Sequence, residues 1–302
     1  MQLSVKKLGK LFKLTFKEWA NRDPFRLSAI IAYYAIFAIP GLLFLIINIT
    51  GNIFGKDAVV QNILNEVSST MSAETATQIE DIFLKVGQPK LTFMGSIIGI
   101  IILLIGATGV FVELQKTLNI IWEVTAVPKK GILPILRARL FSFGLILVIA
   151  FLLLISLVIS AAFAAMSSWI KADTSGLTVI IFNILNIVFS FAIISVLFAL
   201  MFKILPDAKI KWKHVWLGSA IAGALFTIGK TALAFFFGTF APASVYGAAG
   251  SIILILLWVS YSSMITFLGA EFTAAYAKMF SGKVPPADIA KAEISAKAQK
   301  EL

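Results

Sequence analysis

The sequence predicts an all-α fold, a polytopic membrane bundle of about six transmembrane helices with both ends in the cytoplasm. Three observations predict it: the abundance of apolar residues, six apolar runs of membrane length, and the uneven distribution of lysine and arginine between those runs. Of 302 residues, 59% are hydrophobic and 14% are charged, and the mean hydropathy is +0.95. One soluble core cannot bury that much apolar side chain, so we expect lipid to solvate much of the chain.

A helix needs roughly 20 mostly apolar residues to cross ~30 Å of hydrocarbon. Six segments meet this condition, at residues 27–49, 93–112, 140–165, 177–201, 215–240 and 248–270. They predict a transmembrane domain over 27–280, a basic cytoplasmic segment at 1–26 and a solvated, flexible cytoplasmic tail at 281–302. No apolar stretch with a cleavage site lies in the basic segment, so we expect the first span to serve as the targeting signal.

Lysine and arginine are concentrated in alternate connections. The N-terminal segment holds 7, the segment 113–139 holds 4 besides Lys116, the segment 202–214 holds 4 and the chain after residue 270 holds 5, whereas the other three loops hold 3, 1 and 0. With Lys116 and the intramembrane Lys230 set aside, 20 against 4 predicts that both termini are cytoplasmic. Four tryptophans agree, because they fall at predicted cytoplasmic boundaries: Trp19, Trp122, Trp212 and Trp216.

The first external loop, residues 50–92, is long enough to hold structure of its own. Apolar residues recur there at helical spacing, at Val59, Val60, Ile63, Leu64 and Val67, and a second amphipathic turn follows at Ile79, Ile82, Phe83 and Val86. The pattern predicts an external helical hairpin with five acidic and three basic residues. We favour a hairpin that caps the bundle over one that binds a partner protein.

Lys230 is the clearest ionisable residue inside a predicted span. Such a residue costs a few kcal/mol in hydrocarbon, so it is by default a functional hypothesis. It lies ~22 Å along its helix from the cytoplasmic start of the fifth span, in the outer half of the bilayer. Four polar residues are predicted to share this outer polar layer: Asn183, Asn186, Ser156 and Ser160. The layer either lines a cavity where Lys230 attracts a phosphate or carboxylate, or contains a lysine that snorkels to the outer headgroups.

A second polar layer is predicted near the cytoplasmic face. Glu113, Lys116 and Asn119 follow one stripe of the helix that leaves the second span, and Glu271 ends the sixth span at the same level. Three residues near the first span are expected to reach this depth: Arg26, Tyr33 and Tyr34. The favoured interpretation of this cytoplasmic-side cluster is a set of ion pairs that fixes the register of the helix ends. The alternative is a gate for an ion or a substrate.

Three stretches of the sequence carry a family resemblance. They read AIIAYYAIFAIPGLLFLI at 29–46, ELQKTLNIIWEV at 113–124 and VYGAAGSIILILLWVSYSSMITFLGAEFTAAYA at 245–277. Together they resemble the signatures of the YihY/BrkB-like family of bacterial inner-membrane proteins. The matching positions are Tyr33, Tyr34, Pro40, Leu118, Asn119, Trp122, Tyr246, Gly247, Trp258, Gly269, Ala270 and Glu271. Phe272 and Thr273 depart from the family, which more often has Leu and Asn there.

The resemblance implies a multi-pass protein of the bacterial inner membrane. The family has inherited names that refer to serum resistance and to a "ribonuclease BN". A metal-dependent ribonuclease needs clustered His and Asp ligands, whereas this chain has one histidine, His214, and no cysteine. We therefore expect a protein that is not an enzyme and that carries no cofactor and no metal.

The residues favour a protein that transports or binds an envelope component, such as an anionic lipid or a small anion, at the outer polar layer. The alternative is a scaffold that assembles an envelope protein complex through the external hairpin and the basic loops. An RNA-processing role comes third, because it requires lysines separated by membrane spans to converge on one surface. The expected partners are the bilayer with its anionic lipids and envelope proteins, and not nucleic acid. The sequence predicts no oligomeric state.

Overall fold

In the computed structural model, the described residues form helices, one small two-stranded sheet and short connections. The structure describes residues 5–70, 76–77, 80, 93–126, 176–240, 250–282, 284–287 and 290–292. Seven helices lie in these ranges: α1 Val5–Asn21, α2 Pro24–Phe54, α3 Lys56–Thr70, α4 Phe93–Trp122, α5 Gly176–Ile204, α6 Trp212–Phe240 and α7 Gly250–Ser281. Strand β1, Val124–Ala126, pairs antiparallel with β2, Ala290–Ala292.

The ends of the helices follow from local backbone chemistry. Pro24 occupies the first turn of α2, where the missing N–H would have had no helical acceptor. Gly55 ends the same helix with a φ of +86° and donates its N–H to the carbonyl of Gly51 at 3.0 Å. Pro206 follows two residues after α5, a position where proline cannot extend the helix.

Five of the six predicted spans coincide with helices of the described residues. Spans 27–49, 177–201 and 215–240 fall inside α2, α5 and α6. The second span falls inside α4, which continues to Trp122, and the sixth corresponds to α7, which continues to Ser281. The third predicted span, 140–165, lies outside the described residues. The apolar runs therefore located these helices, while the extensions of α4 and α7 carry more polar residues than hydropathy alone selects.

Three of these helices are long and apolar enough to cross a membrane, within the residues that the structure describes. They are the segments Ile187–Ile204 of α5, Trp212–Phe237 of α6 and Ile252–Phe280 of α7; within α2, the apolar segment Pro24–Ile39 is shorter. Large apolar side chains project outward from them, with Ile187 at 64% and Phe235 at 70% exposure. Lipid tails, unlike water, solvate such side chains at little cost. The length and composition are those of a membrane protein; the six-span count and the orientation stay predictions.

The chain divides into two compact units, each with its own packing. The first unit comprises 1–21, 115–225 and 266–302, and the second unit comprises 22–114 and 226–265. In the first unit, α1 packs through the fully buried Leu11 onto Phe272 and Ala275 of α7. Thus a helix outside the predicted spans contributes to the core of this unit.

In the second unit, α2 and α4 approach each other at two glycines. A Cβ on Gly106 would lie 2.8 Å from the backbone N of Ala38, and a Cβ on Gly109 would lie 2.2 Å from the ring of Tyr34. Glycine at these positions therefore allows a contact that alanine would obstruct.

Helix α3 forms where the spacing of the apolar residues in the first external loop predicted a helix. Its Val59 and Leu64 are buried, and Leu64 packs with Ala76 and with the partly buried Val60 and Val67. The second amphipathic turn, with Ile79, Ile82, Phe83 and Val86, lies outside the described residues. The apolar face of α3 is thus packed within the second unit.

Candidate functional site

Lys230 lies on α6 in the second unit, within the membrane-length segment Trp212–Phe237. It is half-buried. Eighteen residues separate it from Trp212 and ten from Phe240, so at 1.5 Å per residue it stands ~27 Å from one end of α6 and ~15 Å from the other. The lysine is therefore well inside a segment that would lie in hydrocarbon.

Two aromatic side chains of α7 meet α6 next to this lysine. A Cβ on Gly229 would lie only 1.7 Å from the Tyr261 hydroxyl oxygen, so the phenol packs directly over that glycine. One turn before Lys230, the ring of Phe226 meets Trp258 edge to face, with centroids 5.9 Å apart. Tyr261 and Trp258 carry hydrogen-bond donors, an O–H and an indole N–H. The part of α6 that carries Lys230 is thus lined by polar aromatic groups.

The other members of the predicted outer polar layer are less well described. Asn183 and Asn186 lie on α5 in the first unit, and their side chains are outside the description. Ser156 and Ser160 lie outside the described residues. The grouping of these four residues with Lys230 stays a prediction.

Four residues of the predicted cytoplasmic-side cluster belong to the second unit. Arg26 donates from Nε to Oδ2 of Asp23 at 3.0 Å, and both side chains are exposed. Tyr33 is 58% exposed and stacks edgewise on Tyr34, with centroids 5.5 Å apart. Glu113 is half-buried on α4. The described partner of Arg26 is therefore a neighbour in sequence, three residues away.

The remaining three residues of that cluster belong to the first unit. Lys116 is exposed on α4, whereas Asn119 and Glu271 are only 7% and 3% exposed. Asn119 has a described partner that the sequence analysis did not select. That partner is Asp207, in the loop between α5 and α6.

Asp207, Asn119 and Gln115 form a closed hydrogen-bond network, which we call the Asp207 node. Asn119 donates from Nδ2 to Oδ2 of Asp207 at 2.8 Å, and the backbone N–H of Asp207 donates to Oδ1 of Asn119, also at 2.8 Å. Gln115, one turn earlier on α4, donates from Nε2 to both carboxylate oxygens at 3.3 and 3.4 Å. Asp207 is 9% exposed. A buried carboxylate is thus met by amides that stand four residues apart on one helix face.

The C-terminal segment binds the same loop through its backbone. Ala287 donates its N–H to the Asp207 carbonyl, and Lys209 donates its N–H to the Pro285 carbonyl, both at 2.9 Å. Next along the chain, β2 pairs with β1, with Thr125 opposite Lys291. We call residues 284–287 and 290–292 the strap. The Ala/Lys/Glu composition that predicts a solvated tail gives no indication of these contacts.

A lysine also binds the loop that joins α5 to α6. Lys203, in the last turn of α5, donates from Nζ to the carbonyl of Ile210, and its Nζ lies 6.0 Å from the ring centroid of Trp212. The loop is therefore held at its start by Lys203, in its middle by α4 and along one edge by the strap. These contacts suit a structural joint between helix ends better than a binding site.

Sequence analysis missed Asp207 and Gln115 for different reasons. Residues 202–214 are notable in sequence for their basic charges, for Trp212 and for His214, whereas the Pro206–Asp207 pair carries no periodic signal. Gln115 did carry a signal, because it precedes Asn119 by one helical turn. A search for uncharged polar pairs on one face of α4 would have found it.

The described residues contain no group of three or more His, Cys, Asp or Glu side chains placed to hold a metal ion. His214 is 3% exposed, and its ring centroid lies 5.8 Å from that of Tyr276. The single histidine is therefore packed against an aromatic ring of α7.

Comparison with known proteins gives one family and several relatives. A family model described as "Virulence factor BrkB" matches residues 15–293. A UPF0761 membrane protein of Saccharophagus degradans is 24% identical over 279 residues, 90% of this chain and 60% of its own length. The UPF0761 membrane protein PM1616 of Pasteurella multocida is 29% identical over 187 residues, 60% of this chain and 54% of its own length.

A third relative, the UPF0761 membrane protein of Verminephrobacter eiseniae, is 28% identical over 185 residues, 61% of this chain and 42% of its own length. The chain thus spans about half the length of the curated relatives it matches. No solved structure matches the chain.

Proposed function

The chain belongs to the BrkB family of membrane proteins, and from that premise we propose that it binds, and moves across the bacterial inner membrane, an anionic component of the envelope at Lys230. The ligand class is an anionic lipid headgroup or a small anion, with phosphate as the shared chemistry. The proposal includes the six-span topology with both termini in the cytoplasm.

One observation carries the proposal: a half-buried lysine lies deep in a membrane-length helix, directly after the glycine that Tyr261 covers. An ionisable group in hydrocarbon is costly, and such groups commonly mark ligand or ion pathways. Tyr261 and Trp258 of α7, which contact Gly229 and Phe226 of α6, carry neutral O–H and N–H donors. A cation with nearby O–H and N–H donors is the combination that binds a phosphate oxygen through charge-assisted hydrogen bonds.

The position of Lys230 along α6 supports ligand access to this lysine from the external side of the membrane. Under the predicted orientation, the ~15 Å from Lys230 to Phe240 is the distance to the external end of the helix. Tyr261 stands eleven residues, ~16 Å, from the start of α7 at Gly250, so the two residues lie at a similar depth from the ends that residues 241–249 connect. An anionic headgroup entering from the external leaflet would meet both.

Scaffolding through the external hairpin is the competing function. The apolar side chains of α3 pack within the second unit, so this helix offers a mainly polar outer surface. A scaffold would lose its partner in a pull-down when residues 56–86 are deleted, and Lys230 variants would leave that partner bound.

The test measures lipid selectivity of the purified protein. Delipidated protein is mixed with equal amounts of phosphatidylglycerol and phosphatidylcholine, and bound lipid is counted by native mass spectrometry. Lys230→Met is expected to reduce the preference for phosphatidylglycerol on the order of tenfold, since a charge-assisted hydrogen bond is lost. Lys213→Met is the matched control, because Lys213 is an exposed lysine near the other end of α6.

Two further measurements separate the ligand sources. Competition by inorganic phosphate indicates a small-anion site, whereas its failure to compete indicates that the lipid itself is bound. In proteoliposomes, loss of fluorescent phosphatidylglycerol translocation in Lys230→Met, but not in Lys213→Met, is expected for transport. Wild-type selectivity and translocation in Lys230→Met would overturn the proposal.

A further inference from the structure

Helix α1 presents three different faces. Its first face is buried: Leu11 and Thr15 are 0% and 2% exposed and, with the partly buried Leu14, they pack toward the rest of the first unit. The residues beneath this face are Leu217 and Ile221 of α6 and Phe272, Ala275, Tyr276 and Met279 of α7. The helix therefore lies across one end of two membrane-length helices.

The second face is apolar and exposed. Leu8, Phe12 and Phe16 follow one another at four-residue steps and are 37%, 48% and 60% exposed. At 100° per residue they occupy an arc of ~80°. The half-buried Trp19 falls within this arc one turn later, and its ring centroid lies 5.2 Å from that of Phe16. We call these four residues the apolar arc.

The third face is basic. Lys6, Lys10, Lys13 and Lys17 are all exposed and fall within ~60° of the helix circumference. The centre of this basic arc lies ~130° from the centre of the apolar arc. An exposed aromatic strip beside a lysine strip is the pattern of a helix that lies in the plane of a membrane interface.

Two tryptophans of α6 near α1 also indicate a position at the membrane interface. Trp212 and Trp216, in the first turns of α6, are 44% and 49% exposed, and their ring centroids are 6.1 Å apart. Tryptophan is enriched where hydrocarbon meets headgroups. Leu217, which contacts the buried face of α1, is the residue after Trp216. Helix α1, which carries the apolar arc, therefore packs near the end of α6 where an aromatic belt is expected.

We propose that α1 is an interfacial helix that binds the anionic phospholipid surface of the leaflet at the Trp212 end of α6. The apolar arc enters the boundary between headgroups and acyl chains, and the basic arc binds lipid phosphates. Charge complementarity selects this occupant over a protein partner, since each basic residue near an anionic leaflet strengthens binding on the order of fivefold. This site lies on the first unit and does not depend on the function proposed for Lys230.

The absence of cysteine from the chain makes a direct test possible. Phe16→Cys on the apolar arc and Lys10→Cys on the basic arc each create a single labelling site in the 302-residue chain. Each variant is labelled with the polarity-sensitive dye NBD and reconstituted into mixed phosphatidylglycerol and phosphatidylcholine vesicles. A doxyl group on the lipid near the headgroup quenches dyes in the interface, and aqueous iodide quenches dyes in water. Leu8→Cys provides a second probe that leaves both phenylalanines intact.

The Phe16 and Leu8 labels are expected to be quenched by the lipid-attached doxyl and protected from iodide, and the Lys10 label is expected to show the reverse. Changing all four lysines of the basic arc to glutamine, or omitting phosphatidylglycerol, should reduce doxyl quenching at Phe16 to the same low level. Circular dichroism and gel filtration are used to test whether the glutamine variant is folded.

Three results would overturn the proposal. They are iodide quenching of the Phe16 label in mixed vesicles, equal doxyl quenching in phosphatidylcholine alone, and self-quenching that rises with protein concentration, which would indicate that a second copy covers the arc. The Lys230→Met variant is expected to leave every label unchanged, so failure at Lys230 and failure at α1 are distinguishable.

Discussion

The Asp207 node and the Lys230 region differ in how each accommodates a charged side chain. In the first unit, the Asp207 carboxylate is 9% exposed and accepts hydrogen bonds from two amides, while its backbone groups bond to Asn119 and Ala287. In the second unit, Lys230 is a half-buried cation beside aromatic rings in a membrane-length helix. The first arrangement holds backbone segments together; the second places a cation within a membrane-length helix.

We expect the Asp207 node to contribute to the stability of the fold and Lys230 to contribute to ligand binding. A buried carboxylate with several donors contributes to folding, and removing it leaves those donors without their acceptor. A lysine in hydrocarbon opposes folding unless a ligand or partner offsets its desolvation. Substitutions in the two regions should therefore change stability in different directions, and this difference can be measured.

The largest effect is expected for Asp207→Ala. The change removes the acceptor for Asn119 and Gln115 and should lower the free energy of unfolding by about 1.5–3 kcal/mol, the range for hydrogen bonds to a charged group. Unfolding in detergent, followed by circular dichroism, measures it. Asp23→Asn is the control, since Asp23 is exposed, pairs locally with Arg26 in the described contacts and has a φ of +54°, which asparagine tolerates. Equal stability of the two variants would show that the node does not stabilise the fold.

The next effect is steric and concerns the contact of α6 with α7 in the first unit. A Cβ on Gly218 would lie 1.7 Å from Oγ1 of Thr273, which donates to the carbonyl of Gly269 at 2.8 Å. Gly218→Ala should cost about 1–3 kcal/mol of unfolding free energy, and Thr273→Ala in the same chain should restore part of it. Gly9→Ala, where nothing lies within 4 Å, is the matched control and should not destabilise. Identical melting of both glycine variants would contradict the close approach.

A smaller change of opposite sign is expected for Lys230→Met. Removing a cation from a membrane-length helix should leave the free energy of unfolding unchanged or raise it by up to ~1 kcal/mol. The measurement is the same detergent unfolding used for Asp207→Ala. A loss of stability comparable to that of the aspartate variant would place Lys230 among the structural groups and remove the contrast between the regions.

The smallest effect is expected at the exposed ion pair between Lys278 and Glu123. Nζ and Oε1 are 2.7 Å apart, but the side chains are 36% and 48% exposed. Solvent screening limits such a pair, so Lys278→Ala should cost less than ~1 kcal/mol. Added salt should make the variant and the wild-type protein converge in thermal unfolding. A cost as large as that of Asp207→Ala would indicate that burial is not what distinguishes the node.

The helices could be predicted because their signal is local. Apolar runs of membrane length located α2, α5 and α6, and the 3.6-residue spacing of Val59, Val60 and Leu64 located α3. The family could be recognised for a related reason: the polar residues inside three apolar stretches are specific, and the family match to residues 15–293 confirms it.

The contacts of the candidate site residues were harder to predict, because hydrogen bonds between segments that are remote in sequence leave no pattern in the local sequence. Asn119 was selected from its stripe on α4, yet its described partner stands 88 residues away in a short loop. Arg26 was predicted to reach a layer with Glu113 and Glu271, but its described hydrogen bond goes to Asp23. Hydropathy and charge place residues at a depth along a helix, whereas lateral neighbours depend on how helices pack.

The strap also sets an order of events during biosynthesis. Asp207 leaves the ribosome 80 residues before Ala287, which is about 4–16 s at usual translation rates. During that interval, the loop between α5 and α6 lacks the N–H of Ala287 and the carbonyl of Pro285 that later bind it. The joint at the ends of α4, α5 and α6 is therefore completed only after α7, which lies between the loop and the strap in the chain, has been synthesised.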